Sequence, residues 1–249
     1  MGRGFPTLLA LLLVTVAFQF SPCAAQQVKT SYTQFAFHLP LPDGVTGAES
    51  LAFDASNHGP YTGVSDGRVL RWGGGAVGWT TFAHHGNYRF NTEIMMNADA
   101  TARLLKYDAQ TKRVTVLRAG LPYANGVAVS HDGTHVVVAH TVPCQVFRYW
   151  IKGPKAGVYE LFADLPGYPD NVRRDAKGGY WVALNQEKFR LNAAAAAPVK
   201  HLVGVRINGD GVEVEELTGA KGVTLSEVTE KDGKLWLGSV ELDYVGLVA

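Results

Sequence analysis

The stretch LRAGLPYANGVAVSHDGTHVVVA, residues 117–139, decides the fold because the chain repeats it 45 residues later as FADLPGYPDNVRRDAKGGYWVAL, residues 162–184. The two copies align without a gap, so that Gly133 falls on Gly178 and Tyr123 falls on Tyr168. Each copy contains a loop with proline, a strand of about five residues, a glycine turn and a second apolar strand. A period near 45 residues made of short strands and turns is typical of a β-propeller blade.

Neighbouring segments complete the four strands that a blade requires. Residues 146–150 and 158–162 are β-rich, and the turn at 153–157 separates them. Degenerate copies of the pattern occur at 49–54 and again at 222–240. The chain is therefore predicted to be all-β, a single propeller domain over residues 26–249.

Part of that propeller is missing from the sequence. Residues 82–103 are polar and pattern-poor, and 103–108 and 114–117 then supply the last two strands of a blade without its first two. Glu49 and Asn125 occupy the same place in their repeats, yet they stand 76 residues apart, which is not a whole number of periods. We expect about four to five blades. A low-complexity insert at 192–198 is predicted to be an exposed loop.

Composition and the N-terminal segment limit the function classes. The 249 residues are 47% apolar and 18% charged with a formal net charge of +1, which disfavours nucleic acid and anionic membranes as partners. Arg3 precedes an apolar run at 8–20 and the small-residue sequence SPCAA, a pattern that predicts a signal peptide over residues 1–25. A membrane anchor is the weaker alternative because the run is shorter than a membrane span. Cys144 then remains alone and is interpreted as a buried apolar residue.

Three polar residues start equivalent strands and form the candidate site. The innermost strand of a blade lines the central channel, and Glu49, Asn125 and Asp170 share one register there. Carboxylate and amide oxygens are the ligands that Ca²⁺ requires, and Asn171 could add a fourth. The alternative is that these residues serve as turn residues, since Asn and Asp beside Gly or Pro commonly bond their own backbone.

Six motifs in order resemble the plant strictosidine synthase-like proteins: 60–69 (PYTGVSDGRV), 103–108 (RLLKYD), 124–130 (ANGVAVS), 148–157 (RYWIKGPKAG), 165–171 (LPGYPDN) and 234–238 (KLWLG). The resemblance implies a six-bladed β-propeller of the secretory pathway, either vacuolar or extracellular. It also implies a distant relationship to calcium-dependent lactonases, paraoxonases and organophosphate hydrolases.

The resemblance has consequences for individual residues. Strictosidine synthase condenses tryptamine with secologanin in a Pictet-Spengler reaction that uses one glutamate, and the motif at 230–233 places that glutamate at Ser226. A serine hydroxyl titrates too far from neutral pH for this role, and adjacent Glu227 should face the other way. No catalytic residue is therefore assigned. In the metal-dependent relatives the calcium ligands resemble Glu49, Asn125 and Asp170.

Three functions remain open at this point. The favoured one is metal-assisted hydrolysis of a small ester, lactone or phosphoester at the central channel. The second is synthase-type condensation, which Ser226 disfavours. The third is a non-catalytic propeller from a shortened transcript. A small-molecule substrate is expected for the first two, and the sequence leaves the oligomeric state open.

Overall fold

The structure, a computed structural model, describes residues 28–33, 37–84, 99–188 and 201–248. The predicted signal peptide and the low-complexity insert at 192–198 lie outside these residues. Within the described ranges the regular elements are nineteen β-strands, which confirms the all-β prediction. None of the described segments forms an apolar helix long enough to cross a membrane.

The first complete blade follows two short N-terminal strands, β1 (Lys29–Tyr32) and β2 (Phe37–Pro40). Its four antiparallel strands lie in chain order in one sheet. They are β3 (Leu51–Ala52), β4 (Tyr61–Gly63), β5 (Arg68–Trp72) and β6 (Trp79–His84). The Asp66–Gly67 turn joins β4 to β5, with Gly67 at a φ of 85° as a tight hairpin turn requires.

A half-blade comes next. Its strands β7 (Ala102–Asp108) and β8 (Arg113–Leu121) pair only with each other in the described part of the chain. Among the residues that the structure describes, this blade therefore consists of the two strands predicted at 103–108 and 114–117. One face of it packs on the following blade through Leu104 and Leu121.

The two repeat copies form the next two blades. The first contains β9 (Ala124–Val129), β10 (His135–His140), β11 (Gln145–Trp150) and β12 (Tyr159–Asp164). The second contains β13 (Gly167–Arg174), β14 (Tyr180–Glu187), β15 (Leu202–Ile207) and β16 (Glu213–Thr218). Gly133 and Gly178 have φ values of 63° and 91°, which explains why both copies keep glycine in the turn.

The last blade is closed by the N-terminal part of the chain. Strands β17 (Glu227–Lys231), β18 (Lys234–Gly238) and β19 (Tyr244–Val248) pair in order, and β2 adds the outer strand antiparallel to β19. Strand β1 pairs in parallel with β16 as a fifth strand of the neighbouring sheet. The two N-terminal strands therefore pair with strands from the C-terminal part of the chain. The local sequence pattern did not predict this pairing.

The blades pack face to face through apolar side chains. One cluster joins the two repeat blades and contains Val137, Val182 and Val205, which are fully buried. Each such side chain contributes about 1.5–3 kcal/mol relative to an exposed position. Strand β13 also packs against β9 and against β17, so the innermost strands of successive blades lie side by side. This arrangement brings the starts of those strands to one place.

Candidate functional site

The structure brings Glu49, Asn125 and Asp170 together at the inner strands. Glu49 lies just before β3, and the side chains of Glu49 and Asn125 both lie close enough to Asp170 to shift its pKa. The backbone of Glu49 is held by Ser226, whose Oγ donates a hydrogen bond to the Glu49 carbonyl oxygen at 2.8 Å. The predicted common register therefore corresponds to a common location. That these residues bind a metal stays a prediction.

Asp170 has the most unusual surroundings in this group. Its residue surface is 4% exposed, and Asn185 Nδ2 donates to its Oδ2 at 2.9 Å. The other carboxyl oxygen, Oδ1, is buried without a hydrogen-bond partner among the described residues. Burial raises the pKa of Asp170 to about 6, and the charges of Glu49 and Glu227 add to the increase, whereas the Asn185 hydrogen bond and the nearby Asn125 amide oppose it.

The two other amide residues have separate partners. Asn125 Nδ2 lies 3.3 Å from Thr141 Oγ1, and that hydroxyl donates to the Pro169 carbonyl oxygen at 2.7 Å. Asn171, the predicted fourth ligand, donates from Nδ2 to Ser50 Oγ at 3.0 Å. Its amide oxygen is therefore the atom through which Asn171 could bind a cation.

The carboxylate and amide oxygens of this group suit a hard cation. A buried carboxylate oxygen without a partner costs free energy, and a cation at Asp170 Oδ1 would remove that cost. Among the described residues no three His, Cys, Asp or Glu side chains form a metal-binding group. A site at Asp170 and Glu49 must therefore also use an amide oxygen such as that of Asn125.

Gly126 sets the distance between the strands that carry Asn125 and Asp170. A Cβ atom at this position would lie 2.5 Å from the Asp170 carbonyl oxygen and 2.5 Å from the Val172 nitrogen. Both atoms belong to the β13 backbone and cannot rotate away. The absence of a side chain therefore lets β9 approach β13 at the candidate site.

We expect Gly126→Ala to lower the free energy of unfolding by about 2 kcal/mol or more, because overpacking against backbone forces the strands apart. Chemical denaturation measures the change. The matched control is Gly75→Ala, since a Cβ there meets nothing within 4 Å and Gly75 has no positive φ. Equal stability of the two variants would contradict a close contact between β9 and β13.

An ion pair beside the site was not predicted from the sequence. The Arg173 guanidinium contacts both carboxylate oxygens of Glu227 at 2.8–3.0 Å, and Glu227 Oε2 also accepts from the Leu51 amide at 3.3 Å. Glu227 is fully buried, whereas the Arg173 side chain is 36% exposed. Glu227 was expected to face the other way because it follows Ser226, yet its charge reaches Asp170. Its carboxylate links β17 to β13 and β3.

Tyr123 is a second residue that the sequence did not single out as functional. Its φ of 38° is uncommon for a residue other than glycine, and such strain is often kept at functional sites. Burial raises the pKa of its phenol, and the charges of Asp170 and Glu49 raise it further. The phenol therefore borders the same group of carboxylates. The only available signal in the sequence was its place two residues before Asn125.

Ser226 is the residue that the resemblance places at the synthase glutamate. Its side chain is buried and donates to the backbone of Glu49. This hydroxyl ties β17 to the segment before β3. The geometry agrees with a structural role for Ser226.

Comparisons with known proteins agree with this architecture. Residues 77–154 match the family profile described as strictosidine synthase. The Arabidopsis thaliana protein Strictosidine synthase-like 10 is 30% identical over 319 aligned positions, which cover 82% of this chain and 85% of that protein. The aligned length exceeds the 249 residues of this chain, so the relative contains segments without a counterpart here.

Solved structures are also similar to this chain, and one of them reaches a TM-score above 0.5. A proposed gluconolactonase solved by X-ray crystallography has a TM-score of 0.51 at 12% identity, with 87% of this chain and 93% of that chain covered. Regucalcin from Agrobacterium tumefaciens, described as a calcium-binding protein, gives a TM-score of 0.44 at 14% identity and covers 85% of this chain and 74% of its own. From the sequence relationship and the fold together, the chain belongs to the strictosidine synthase-like family of β-propeller proteins.

Proposed function

We propose that the chain hydrolyses a small ester, lactone or phosphoester with a Ca²⁺ ion held by Glu49, Asn125 and Asp170, and by the amide oxygen of Asn171. The observation that carries this proposal is the buried oxygen Asp170 Oδ1, which has no partner among the described residues. The charge of Glu49 acts on the same carboxyl group. Two carboxylates held together without a counterion repel each other, and a divalent cation relieves that repulsion.

The chain's own residues prepare the site for such a substrate. Asn185 holds Asp170 Oδ2 through its 2.9 Å hydrogen bond, and Oδ1 is left without a partner among the described residues. With a pKa of about 6, Asp170 is mainly ionised at neutral pH and can bind a cation. Bound calcium would polarise the carbonyl or phosphoryl oxygen of the substrate. Tyr123 borders the site with a hydroxyl that can donate to a substrate oxygen.

Synthase-type condensation has less support. That chemistry needs an acid-base group that titrates near the working pH, and Ser226 supplies none. One structural neighbour is described as a proposed gluconolactonase. That description applies to the neighbour, and lactone hydrolysis by this chain is part of the proposal. We also propose that the activity belongs to the secretory pathway, on the basis of the signal peptide predicted over residues 1–25.

Calcium should stabilise the protein, and the effect should depend on pH. At pH 7.5 we expect millimolar Ca²⁺ to raise the melting temperature, because a ligand that binds only the folded state stabilises it. As the pH falls through 6, protons compete for Asp170, so the calcium-dependent shift should decrease. Differential scanning fluorimetry with Ca²⁺ or with EDTA measures both effects.

The same preparations test the reaction. Hydrolysis of p-nitrophenyl acetate and of a γ-lactone should require Ca²⁺ and stop in EDTA. Mg²⁺ at the same concentration is the control for ionic strength, since it binds carboxylate and amide cages less readily than Ca²⁺. A melting temperature that does not respond to millimolar Ca²⁺ at pH 7.5 would overturn the metal site.

A further inference from the structure

His140 is a buried histidine to which the proposed function gives no role. It is the last residue of β10, and 1% of its surface is exposed. Its Nδ1 lies 2.6 Å from the Pro122 carbonyl oxygen. A carbonyl oxygen can only accept, so Nδ1 carries the ring proton and donates this hydrogen bond. Burial lowers the pKa of His140, so the ring is neutral at pH 7.5 and its Nε2 accepts a hydrogen bond from the Tyr159 hydroxyl.

Two aromatic rings hold the imidazole in this orientation. Tyr159 stacks on Phe147, with the ring centroids 5.0 Å apart and an interplanar angle of 16°. The His140 ring meets Phe147 edge-on at a centroid distance of 5.1 Å. Both aromatic side chains come from β11 and β12, the outer strands of the same blade. Rotation of the His140 ring would break two hydrogen bonds and this packing, so its Nδ1–H stays directed at Pro122.

The oxygen that His140 holds lies next to Tyr123. The Pro122 carbonyl and the Tyr123 N–H belong to one planar peptide unit, so a hydrogen bond to that oxygen fixes the plane that precedes the Tyr123 Cα. The Thr141 N–H donates to the Tyr123 carbonyl oxygen at 3.2 Å and holds the peptide unit that follows. Tyr123 has a φ of 38°, which persists only where the surroundings hold the backbone. The end of β10 therefore holds the peptide units on both sides of Tyr123.

We propose that His140 is a positioning residue, which holds the Tyr123 phenol at the candidate site through the Pro122 carbonyl oxygen. The phenol borders the carboxylates of Asp170 and Glu49. This inference rests on the proposed function for the reaction in which the phenol donates to a substrate oxygen. A donor lowers a barrier only at the correct distance from the reacting oxygen. Loss of the backbone contact should therefore slow the reaction, although His140 itself acts only through Tyr123.

Two substitutions of His140 separate its contact with Pro122 from its contact with Tyr159. The Asn side chain places an N–H near the position of Nδ1, so His140→Asn can keep the bond to the Pro122 carbonyl oxygen. The longer Gln side chain places its amide near Nε2, so His140→Gln leaves this oxygen without its donor. With Ca²⁺ at pH 7.5 we expect His140→Gln to lower kcat for p-nitrophenyl acetate about ten- to hundred-fold with little change in KM. His140→Asn should stay within about three-fold of the wild type.

A double-mutant cycle tests whether His140 acts through Tyr123. Tyr123→Phe removes the hydroxyl, so His140→Gln should lower kcat by less than about two-fold further in that background. The matched control is His135→Gln, since His135 is also buried, lies at the other end of β10 and contacts the Tyr180 hydroxyl. This control should leave kcat unchanged. Equal losses from His140→Gln with and without the Tyr123 hydroxyl would overturn the inference.

Measurements without turnover separate this inference from the hydrolase proposal. In protein labelled with fluorotyrosine, the ¹⁹F resonance of Tyr123 is identified by its loss in Tyr123→Phe. This resonance should shift in His140→Gln, whereas His140→Asn and His135→Gln should keep it. That result in a wild-type protein that hydrolyses no ester would support the positioning of Tyr123 and contradict only the hydrolase. An unshifted resonance in His140→Gln would overturn the inference.

The wild-type protein tests the same hydrogen bond without any substitution at the site. The ¹⁵N chemical shifts of the His140 ring should show a protonated Nδ1 and an unprotonated Nε2 at pH 7.5. The His140 signals are identified by their loss in His140→Asn. The opposite tautomer would overturn the inference even if His140→Gln does not fold, because Nδ1 could then donate nothing to the Pro122 carbonyl oxygen.

Discussion

Replacing Asp170 by asparagine should stabilise the metal-free protein at neutral pH and abolish its response to calcium. Burial raises the pKa of this carboxyl group from 3.8 to about 6. Between about pH 4 and pH 6 the folded state therefore holds a proton that the unfolded state has released. The stability of the wild-type protein in EDTA must therefore fall as the pH rises from about 4 to 6, and remain lower above pH 6. At 1.36 kcal/mol for each pKa unit, the cost at pH 7 is about 3 kcal/mol.

The Asp170→Asn variant does not incur this cost because its amide carries no charge at any of these pH values. Asn185 can still donate to the side-chain oxygen at position 170, so the main hydrogen bond is retained. Denaturant titrations in EDTA at pH 4, 5, 6 and 7 should show a stability difference between the variant and the wild type that grows with pH. With Ca²⁺ at pH 7.5 the order should reverse or narrow, because only the wild type gains from the cation.

Asp210→Asn is the control, since Asp210 lies in the exposed turn between β15 and β16. It should show neither the pH-dependent difference nor a changed calcium response. A destabilised Asp170→Asn protein in EDTA at pH 7 would contradict the raised pKa. A variant that still responds to Ca²⁺ would remove Asp170 from the proposed ligands.

The sequence predicted the blades because their information is local. Alternating strands, glycine turns and a 45-residue spacing lie within 117–184, and the structure confirms them as β9 to β14. The half-blade was also predicted, since a missing pair of strands changes the spacing along the chain. The pairing of β2 with β19 was not predicted. Four residues near the N-terminus carry no pattern that identifies a partner about 200 residues away.

The sequence predicted only part of the candidate site. The repeats share one register at Glu49, Asn125 and Asp170. Residues in a common register lie at the same level along the propeller axis. Arg173 and Glu227 share no such register. Their contact depends on the distance between β13 and β17, which packing of whole blades sets. Asn185 was missed because the pairing of β13 with β14 is irregular beside it, with register shifts on either side of Pro169.

The ion pair between Arg173 and Glu227 should contribute strongly to the stability of the fold. Removing one partner of a buried pair leaves an uncompensated charge, which typically costs about 3–5 kcal/mol. We expect Arg173→Ala to lower the free energy of unfolding by that amount at pH 7.5, because Glu227 is fully buried and joins three inner strands. The control is Arg68→Ala, which breaks an ion pair with Asp66 on an exposed hairpin and should change stability little.

The pH dependence of the Arg173→Ala variant distinguishes a charge effect from lost packing. Burial raises the pKa of Glu227, whereas Arg173 and the Leu51 amide lower it. Without Arg173 the carboxyl group takes up a proton more readily, so the variant should recover part of its stability as the pH falls from 7.5 to 5. Adding Glu227→Gln should restore stability at pH 7.5, since a neutral amide keeps the Leu51 hydrogen bond without the charge. A loss of equal size at both pH values, unchanged by Glu227→Gln, would show that Arg173 acts through packing alone.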